Sequence, residues 1–233
     1  DTAQIPATLM GSLAARLDRL GEAKAVAQMA AVIGRTFSWA LLRALSPLPD
    51  EALQVALAQL AEAGLIHARI TSPDARYRFE HALMRDAAYE QLLSSQRRNW
   101  HQRVATAMAA GEVSAEPEEL AYHWTQAGDA DRAIAAWAKA GALAYSRSAL
   151  AEAVQAYRQA LSILATLPDT PARDARELDL SAAYSLALVP AAGPQTAEIA
   201  AIAARKHELA QRCGDLGVLV TARTYAVLAA TFR

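Results

Sequence analysis

The chain has 233 residues, of which 54% are hydrophobic and 20% are charged, and its formal net charge at pH 7 is −1. This balance is typical of a folded protein, and a net charge near zero excludes a strong overall attraction to nucleic acid or to an acidic membrane. Much of the hydrophobic fraction is alanine, the strongest helix former, so we expect a mostly α-helical fold.

The cysteine content and the hydropathy pattern bear on the cellular compartment. Cys213 is the single cysteine and has no partner for an internal disulfide, which favours a reducing compartment and predicts a cytoplasmic protein. The alanine runs carry charges every few residues, so we expect no contact with a membrane. The chain starts at Asp1 without a methionine and stops inside a helical pattern. We therefore expect it to be a part of a longer protein.

The first half of the sequence predicts four helices and then a β-hairpin. The predicted helices are, in order, Leu9 to Leu20 after Pro6, Glu22 to Ile33, a short helix opened by Phe37 and Trp39, and Glu51 to Ala63 with Asp50 as its N-cap. Leu65 to Ile70 and Tyr77 to Phe79 read as strands around a turn at Ser72-Pro73-Asp74. Further helices follow from Ala82 and from Ser94.

The last three of these four helices, followed by the hairpin, have the order of elements found in a winged-helix domain. We therefore predict a winged-helix domain with flanking helices over residues 1–110. The segment from Glu112 to Pro117 is the predicted domain boundary, because it contains polar and helix-breaking residues.

The second half, residues 117–233, carries a repeat signal. Small and aromatic residues follow the tetratricopeptide (TPR) pattern of Trp, Gly, Tyr, Ala, aromatic, Ala and Pro. These residues are Trp137, Gly141, Tyr145, Ala153, Tyr157, Ala160 and Pro168. Gly141 and Ala153 are small where two antiparallel helices would cross, and Trp137 and Tyr157 would fill the space beside them. Ser148 marks the turn between the two helices.

Beyond Pro168 the repeat pattern becomes divergent. Leu178 to Val189 and Thr196 to Cys213 predict a second helix pair, separated by Pro190 to Pro194. A third pair would begin at Gly214-Asp215, and a single helix, Glu118 to Gln126, precedes the first pair. We therefore expect a TPR-like α-helical solenoid, in which the concave face binds a partner.

Three stretches and the order of the predicted domains resemble one family. The stretches are IPATLMGSLAARLDRL (Ile5 to Leu20), AAVIGRTFSWALLRAL (Ala30 to Leu45) and YRFEHALMRDAAYEQLL (Tyr77 to Leu93). Together with the repeats, they resemble the region that follows the ATPase core in STAND-class signalling ATPases. These are bacterial multidomain regulators, some with an N-terminal adenylate or guanylate cyclase domain and others with a LuxR-type DNA-binding domain.

The resemblance implies a regulatory part without enzymatic activity of its own. The ATPase core would lie upstream in the same chain and bind ATP or ADP with Mg²⁺. A protein or small-molecule inducer would bind the helical repeats. Residues 1–233 contain neither a Gly-x-x-x-x-Gly-Lys-Ser/Thr loop nor the paired aspartates of a cyclase, so we expect no catalytic residue and no bound cofactor in them.

The resemblance also assigns a candidate nucleotide sensor at the strand-to-helix junction. His81 occupies the position of a histidine that touches the β-phosphate of ADP in the family, and Arg85, one turn further on, could add positive charge. Free N–H groups at a helix N-terminus attract anions, which suits this role. The alternatives are that His81 caps its own helix or packs under the hairpin, and that Arg85 is solvated.

Other candidate sites are less favoured. The helix from Asp50 to Leu65 would be the DNA-reading helix of a winged-helix domain, but it is acidic and has no Lys or Arg, so DNA binding is not expected. We interpret Arg97, Arg98 and Arg103 as an exposed helix face with Trp100 packed inward. A nucleic-acid or acidic-partner surface is the alternative.

Neither a metal site nor a hydrolase site is indicated. His101 and His123 lie far from Cys213 and lack ligand spacing, so no metal is expected. Ser94 and Ser95 are near His101 but have no third orienting group in the sequence. The rival to a nucleotide-coupled regulator is a plain protein-interaction scaffold, and a DNA-binding regulator comes third.

Overall fold

A computed structural model of the chain describes residues 7–70, 75–111 and 115–214. Within these ranges the chain forms eleven helices and three short strands, which confirms the expectation of a mostly α-helical fold. The predicted turn at 72–74, much of the predicted boundary at 112–117 and the helix pair expected from 215 onward lie outside the described residues.

The elements follow the order expected from the sequence, with one additional strand. They are α1 (Ala7–Asp18), α2 (Glu22–Ile33), β1 (Thr36–Ser38), α3 (Trp39–Leu45), α4 (Asp50–Glu62), β2 (Ile66–Ile70), β3 (Arg76–Phe79), α5 (Ala82–Glu90), α6 (Ser94–Ala109), α7 (Pro117–Ala127), α8 (Ala130–Ser146), α9 (Leu150–Leu164), α10 (Pro171–Ala192) and α11 (Ala197–Cys213). The chain divides into two compact units. The first comprises Asp1–Ala115 with Gln126–Gly128, and the second comprises Glu116–Thr125 with Asp129–Arg233.

Helix α2 is the central helix of the first unit. Eight of its twelve residues are buried, from Ala23 to Ile33, and four of the eight are alanines without exposed surface: Ala23, Ala27, Ala30 and Ala31. Helices α4, α5 and α6 all pack against α2. Because an alanine side chain is a single methyl group, neighbouring helices can approach α2 closely on several sides.

The three strands form one antiparallel sheet in the order β1-β3-β2. Strand β1 was not expected, because we predicted that Phe37 would open the third helix. This prediction is wrong. The hydroxyl of Ser38 accepts a hydrogen bond from the N–H of Leu41 and caps α3, so the helix begins only at Trp39. Phe37 instead pairs with β3 and stacks on Tyr77, with 5.6 Å between the ring centres.

Two helix starts also differ from the prediction. Asp50 is the first residue of α4 rather than its N-cap, which is Pro49, and the Asp50 carboxylate accepts a hydrogen bond from Arg43 at 2.9 Å. Helix α10 begins seven residues before the predicted Leu178, at Pro171. The Thr170 hydroxyl caps it by accepting from the N–H of Arg173, which explains the early start.

The second unit contains a series of helices that pack on their sequence neighbours. Helix α9 packs on α8, α10 on α9 and α11 on α10. At the α8–α9 crossing, Gly141 faces the ring of Tyr157, and a Cβ atom built on Gly141 would lie 2.9 Å from two ring carbons. Ser148 turns the chain between these helices with a φ of 61°.

We predict that Gly141→Ala destabilises the second unit. The added methyl group would overlap the buried Tyr157 ring. Such overpacking lowers the free energy of unfolding by about 1–3 kcal/mol, and the better helix propensity of alanine offsets about 1 kcal/mol of that loss. The measurement is urea unfolding followed by circular dichroism, with Gly11→Ala as the matched control. Gly11 lies in α1, where a Cβ atom would meet no atom within 4 Å.

The same experiment includes the double variant. In a Tyr157→Leu background, Gly141→Ala should cost far less, because the ring that it would overlap is absent. Equal unfolding midpoints for Gly141→Ala and Gly11→Ala would contradict this description of the helix crossing.

Candidate functional site

His81 lies where the central strand of the sheet passes into α5. Strand β3 ends at Phe79 and α5 begins at Ala82, so His81 is the N-cap residue, with an extended backbone (φ −124°, ψ 142°). The His81 side chain is exposed and makes no hydrogen bond that caps α5 within the residues that the structure describes. The alternative in which His81 caps α5 with its imidazole is therefore not what the structure has. The imidazole is accessible beside the first N–H groups of α5.

Arg85, the second predicted member of the site, binds within the protein. Its Nε donates to the carbonyl of Ala31, in the last turn of α2, at 2.8 Å, and one Nη contacts Asp86 at 3.1 Å. The side chain is 22% exposed, so it is not the freely solvated arginine of the alternative either. The positive charge of Arg85 interacts favourably with the C-terminal end of the α2 dipole. Arg85 therefore joins α5 to α2.

Tyr89 is the centre of a cluster that the sequence did not reveal. The guanidinium groups of Arg85 and Arg97 lie over its ring, at 4.8 and 4.7 Å from the ring centre. Arg97 also donates to the carbonyls of Glu90 and Leu92, at 2.8 and 3.0 Å. These contacts hold the end of α5 against the start of α6.

His101 is fully buried in this cluster. Its Nε2 lies 3.0 Å from the hydroxyl oxygen of Tyr89, and the two rings meet edge to face. Burial, and to a lesser extent the positive charge of Arg85, lowers the pKa of His101 from 6.5 to about 4. The imidazole is therefore neutral near pH 7, and its role is to join α5 and α6.

The basic run on α6 is only partly the exposed face that we expected. Arg98 is exposed, whereas Arg103 donates to the carbonyl of Leu45, at the end of α3, and its guanidinium lies 4.4 Å from the ring centre of Trp100. Trp100 is half-buried. Arg97 and Arg103 thus bind backbone carbonyls inside the first unit. Arg98 and Arg103 are exposed, as predicted, whereas Arg97 is half-buried, so the prediction of an exposed face is wrong for Arg97.

In the second unit, the residues of the repeat pattern occupy different environments. Ala153, Tyr157 and Ala160 are buried together in the hydrophobic core formed by α8, α9 and α10. Trp137 packs against this core and donates its indole N–H to the Thr125 hydroxyl at 3.0 Å. Tyr145, in contrast, is 42% exposed at the end of α8 and does not belong to this core.

Charged residues join α10 to α11, a feature that the hydrophobic pattern did not indicate. Arg205 binds both carboxylate oxygens of Glu177, at 2.6 and 3.0 Å, and this contact lowers the pKa of Glu177. The Arg212 guanidinium lies 3.0 Å from an oxygen of the buried Asp174. Bidentate pairs of this kind fix the relative orientation of two helices. A separate contact, from the Tyr184 hydroxyl to Glu198, lowers the pKa of the Glu198 carboxyl.

Two further features, metal-binding groups and membrane-spanning helices, concern the part of the chain that the structure describes. In residues 7–70, 75–111 and 115–214, no three His, Cys, Asp or Glu side chains are grouped so that they could hold a metal ion. Within the same ranges, no helix has the length and apolar character needed to cross a bilayer.

Comparison with known proteins gives one distant relative. A protein of Rhizobium meliloti (strain 1021), described only as uncharacterized, is 35% identical to the chain over 173 residues. The aligned region covers 71% of this chain but 16% of that protein, so the chain corresponds to a small part of its length. No model of a known protein family matches the chain. No solved structure matches it either.

The geometry around His101 predicts a loss of stability in acid. The unfolded chain takes up a proton at His101 below about pH 6.5, whereas the folded chain does so only near pH 4. Folding stability therefore falls as the pH decreases between these values, by at most about 3 kcal/mol from this residue. The measurement is the urea midpoint at several pH values for the wild type and for His101→Gln, whose amide cannot take up the proton.

The control for this prediction is His67→Gln. His67 is 43% exposed on β2 and pairs with Glu80. Wild type and His67→Gln should lose stability similarly between pH 6.5 and pH 4, and His101→Gln should lose less. If His101→Gln declines as steeply as the wild type, the buried imidazole is not the proton-linked group.

Proposed function

We propose that the chain is a regulatory and protein-interaction part of a STAND-type signalling ATPase. In this proposal the first unit is a winged-helix domain that responds to ATP or ADP held by an ATPase core elsewhere in the same protein. The second unit is a TPR-like array that binds an inducer or a partner protein. The chain itself carries no catalytic residue, and the compartment is the cytoplasm.

The order of elements in the first unit supports a winged helix. Helix α2 is followed by β1, then α3 and α4, and then the β2–β3 hairpin, with the sheet order β1-β3-β2. A winged helix has this arrangement of a short strand after its first helix and a hairpin after its third. The additional strand β1 thus brings the unit closer to that fold than the hairpin alone.

Helix α4 argues against a direct role in reading DNA. It would be the recognition helix of a winged-helix domain, but it begins with Asp50 and Glu51, ends at Glu62 and contains no Lys or Arg. Its exposed surface would be repelled by phosphates in a major groove. A role in contacts within a regulatory protein fits this helix better.

The neighbour-by-neighbour packing of α8 to α11 supports a TPR-like array. In such arrays each helix contacts mainly its sequence neighbours, and the close crossing of α8 and α9 at Gly141 and Tyr157 is the kind of contact that the repeat pattern requires. The length of the Rhizobium meliloti relative is consistent with a large multidomain protein.

The observation that carries the nucleotide role is the accessible imidazole of His81. It stands directly after the central strand and beside the first N–H groups of α5, and it is not used to cap that helix. Both features suit a contact with a phosphate group. Arg85 is engaged with Ala31 and Asp86, so the proposal rests on His81 and gives Arg85 the role of holding α5 in place.

The rival is a plain protein-interaction scaffold in which the first unit has no nucleotide role. Its support is that the second unit alone provides a helical array for partner binding. The two proposals differ in one respect, since only the regulator requires His81 to change the retention of nucleotide.

The test uses the longest natural protein that contains residues 1–233, with and without His81→Ala. Each protein is purified and denatured, and the released adenine nucleotide is quantified. We expect about one ADP per chain from the parent and a large loss from His81→Ala, because the contact with the β-phosphate is removed.

His67→Ala is the matched control, since it removes another exposed histidine from the same unit. ADP in the parent and in both variants would reduce His81 to a structural residue. An absence of nucleotide from the parent would favour the scaffold.

A further inference from the structure

The sheet of the first unit presents a basic surface on the side away from the core. Phe37, Tyr77 and Phe79 are turned to one face, where Phe37 and Phe79 are buried. Side chains alternate along a strand, so Arg76 and Arg78 of β3 project from the opposite face. Their cross-strand neighbours are Ser38 and Thr36 on β1 and, for Arg78, His67 on β2.

A third arginine extends this surface. The pairing of β2 with β3 shifts between Ala68 and Ile70, and Arg69 is the extra residue at that irregularity, next to Arg76 across the strands. Its side chain is exposed. We call Arg69, Arg76 and Arg78 the basic sheet face.

The arginines of the basic sheet face differ from several others in the unit. Arg16, Arg85, Arg97 and Arg103 all bind backbone carbonyls. Among the described residues, Arg69, Arg76 and Arg78 have neither a carboxylate nor a carbonyl partner. The carboxylate nearest to them in the sheet, Glu80, accepts from the Nδ1 atom of His67 at 2.8 Å. Arg69 and Arg76 are exposed and Arg78 is half-buried, so an external anion can reach this group of guanidinium side chains.

The spacing of these groups suits a linear polyanion. Residues two apart on a strand are separated by about 7 Å, and neighbouring strands by about 4.8 Å. Three guanidinium groups thus lie within a short distance along and across the sheet, and each can form two parallel hydrogen bonds to a phosphate group.

The composition of this face favours nucleic acid over an acidic protein. The strand partners of Arg78 are Thr36 and His67, the β1 partner of Arg76 is Ser38, and Glu80 follows β3, so these neighbours are polar, whereas Ile70 on β2 pairs with Arg76. A stable protein interface has a broad apolar centre depleted of charge, and one isoleucine beside three arginines does not provide it. Binding to a phosphodiester backbone needs no apolar area, because released counterions supply the free energy.

From these observations we propose that the basic sheet face binds the phosphodiester backbone of nucleic acid without sequence specificity. This proposal is independent of the nucleotide role of His81. It also differs from groove reading by α4, since the acidic α4 takes no part in it and base edges are not contacted.

The test is fluorescence anisotropy of the 233-residue chain with a short, labelled DNA duplex of mixed sequence. With about three phosphate contacts, the affinity of the chain for the duplex should fall by a factor of several tens when the salt concentration rises from about 50 to 200 mM. The variant Arg76→Gln/Arg78→Gln should bind at least about tenfold more weakly at the lower salt concentration, and its salt slope should be smaller by about 2.

The control, Arg19→Gln/Arg98→Gln, removes the same number of positive charges from two exposed positions outside the face. It should retain affinity within about threefold of the wild type, since distant charges are largely screened. Circular dichroism checks that both variants are folded.

Three results would overturn the proposal. The first is equal weakening by the two double variants, which would indicate net charge and no defined face. The second is the absence of duplex binding at low salt. The third is binding of poly-L-glutamate with higher affinity than DNA at the same charge concentration, which would assign the face to an acidic protein.

Discussion

The close packing of α5 on α2 is the contact on which the arrangement of the first unit depends. Ala87 and Ala88 of α5 are buried, and α2 presents four alanines without exposed surface, so the two helices can approach closely. Arg85 adds a hydrogen bond to the carbonyl of Ala31 at the end of α2. Because α5 follows β3 after two residues, fixing α5 also fixes the junction at His81 and the central strand of the sheet. Both proposed anion contacts, at His81 and at the basic sheet face, thus depend on one helix pair.

Arginine side chains bind two kinds of acceptor in this chain, backbone carbonyls and carboxylates. In the first unit, Arg97 and Arg103 bind the carbonyls at helix ends, and in the second unit Arg205 and Arg212 join α10 to α11 through carboxylates. Guanidinium groups suit such positions, because their planar array of donors satisfies acceptors that a helix end leaves free. An arginine with acceptors inside the protein is not available to a ligand. This distinction separates Arg97 and Arg103 of α6 from the basic sheet face.

Much of the helical arrangement could be predicted from the sequence because its signals are local. Helix α2 has the predicted bounds, since Gly21 and Gly34 flank a run of apolar residues and alanine. Strand β1 could not be predicted from pattern, because three residues carry almost no periodicity and the partner strand lies about forty residues later. The early start of α10 was missed for a related reason. Its first turns are polar, and they are held by the Thr170 cap and by ion pairs to α11.

The candidate sites were less predictable than the fold, because a site depends on which partners reach each side chain. His81 could be identified from its position between a strand and a helix. The engagement of Arg85 with Ala31, the burial of His101 and the lack of carboxylate partners at Arg76 all depend on contacts between residues distant in sequence. In the second unit, the repeat pattern placed Gly141 and Ala153 at the crossing of α8 and α9 with Tyr157 beside them, and the structure brings the Tyr157 ring directly against Gly141.

Hydrogen–deuterium exchange on the longest natural protein that contains this chain would show whether the His81 junction responds to nucleotide. We expect ADP to slow exchange of the first amides of α5, Ala82 and Leu83, which lack partners within the helix and lie beside His81. Amides at the exposed start of α6 serve as the internal reference and should not change. Equal exchange at Ala82 and Leu83 with and without ADP, in a protein shown to bind ADP, would contradict the claim that this junction senses the nucleotide.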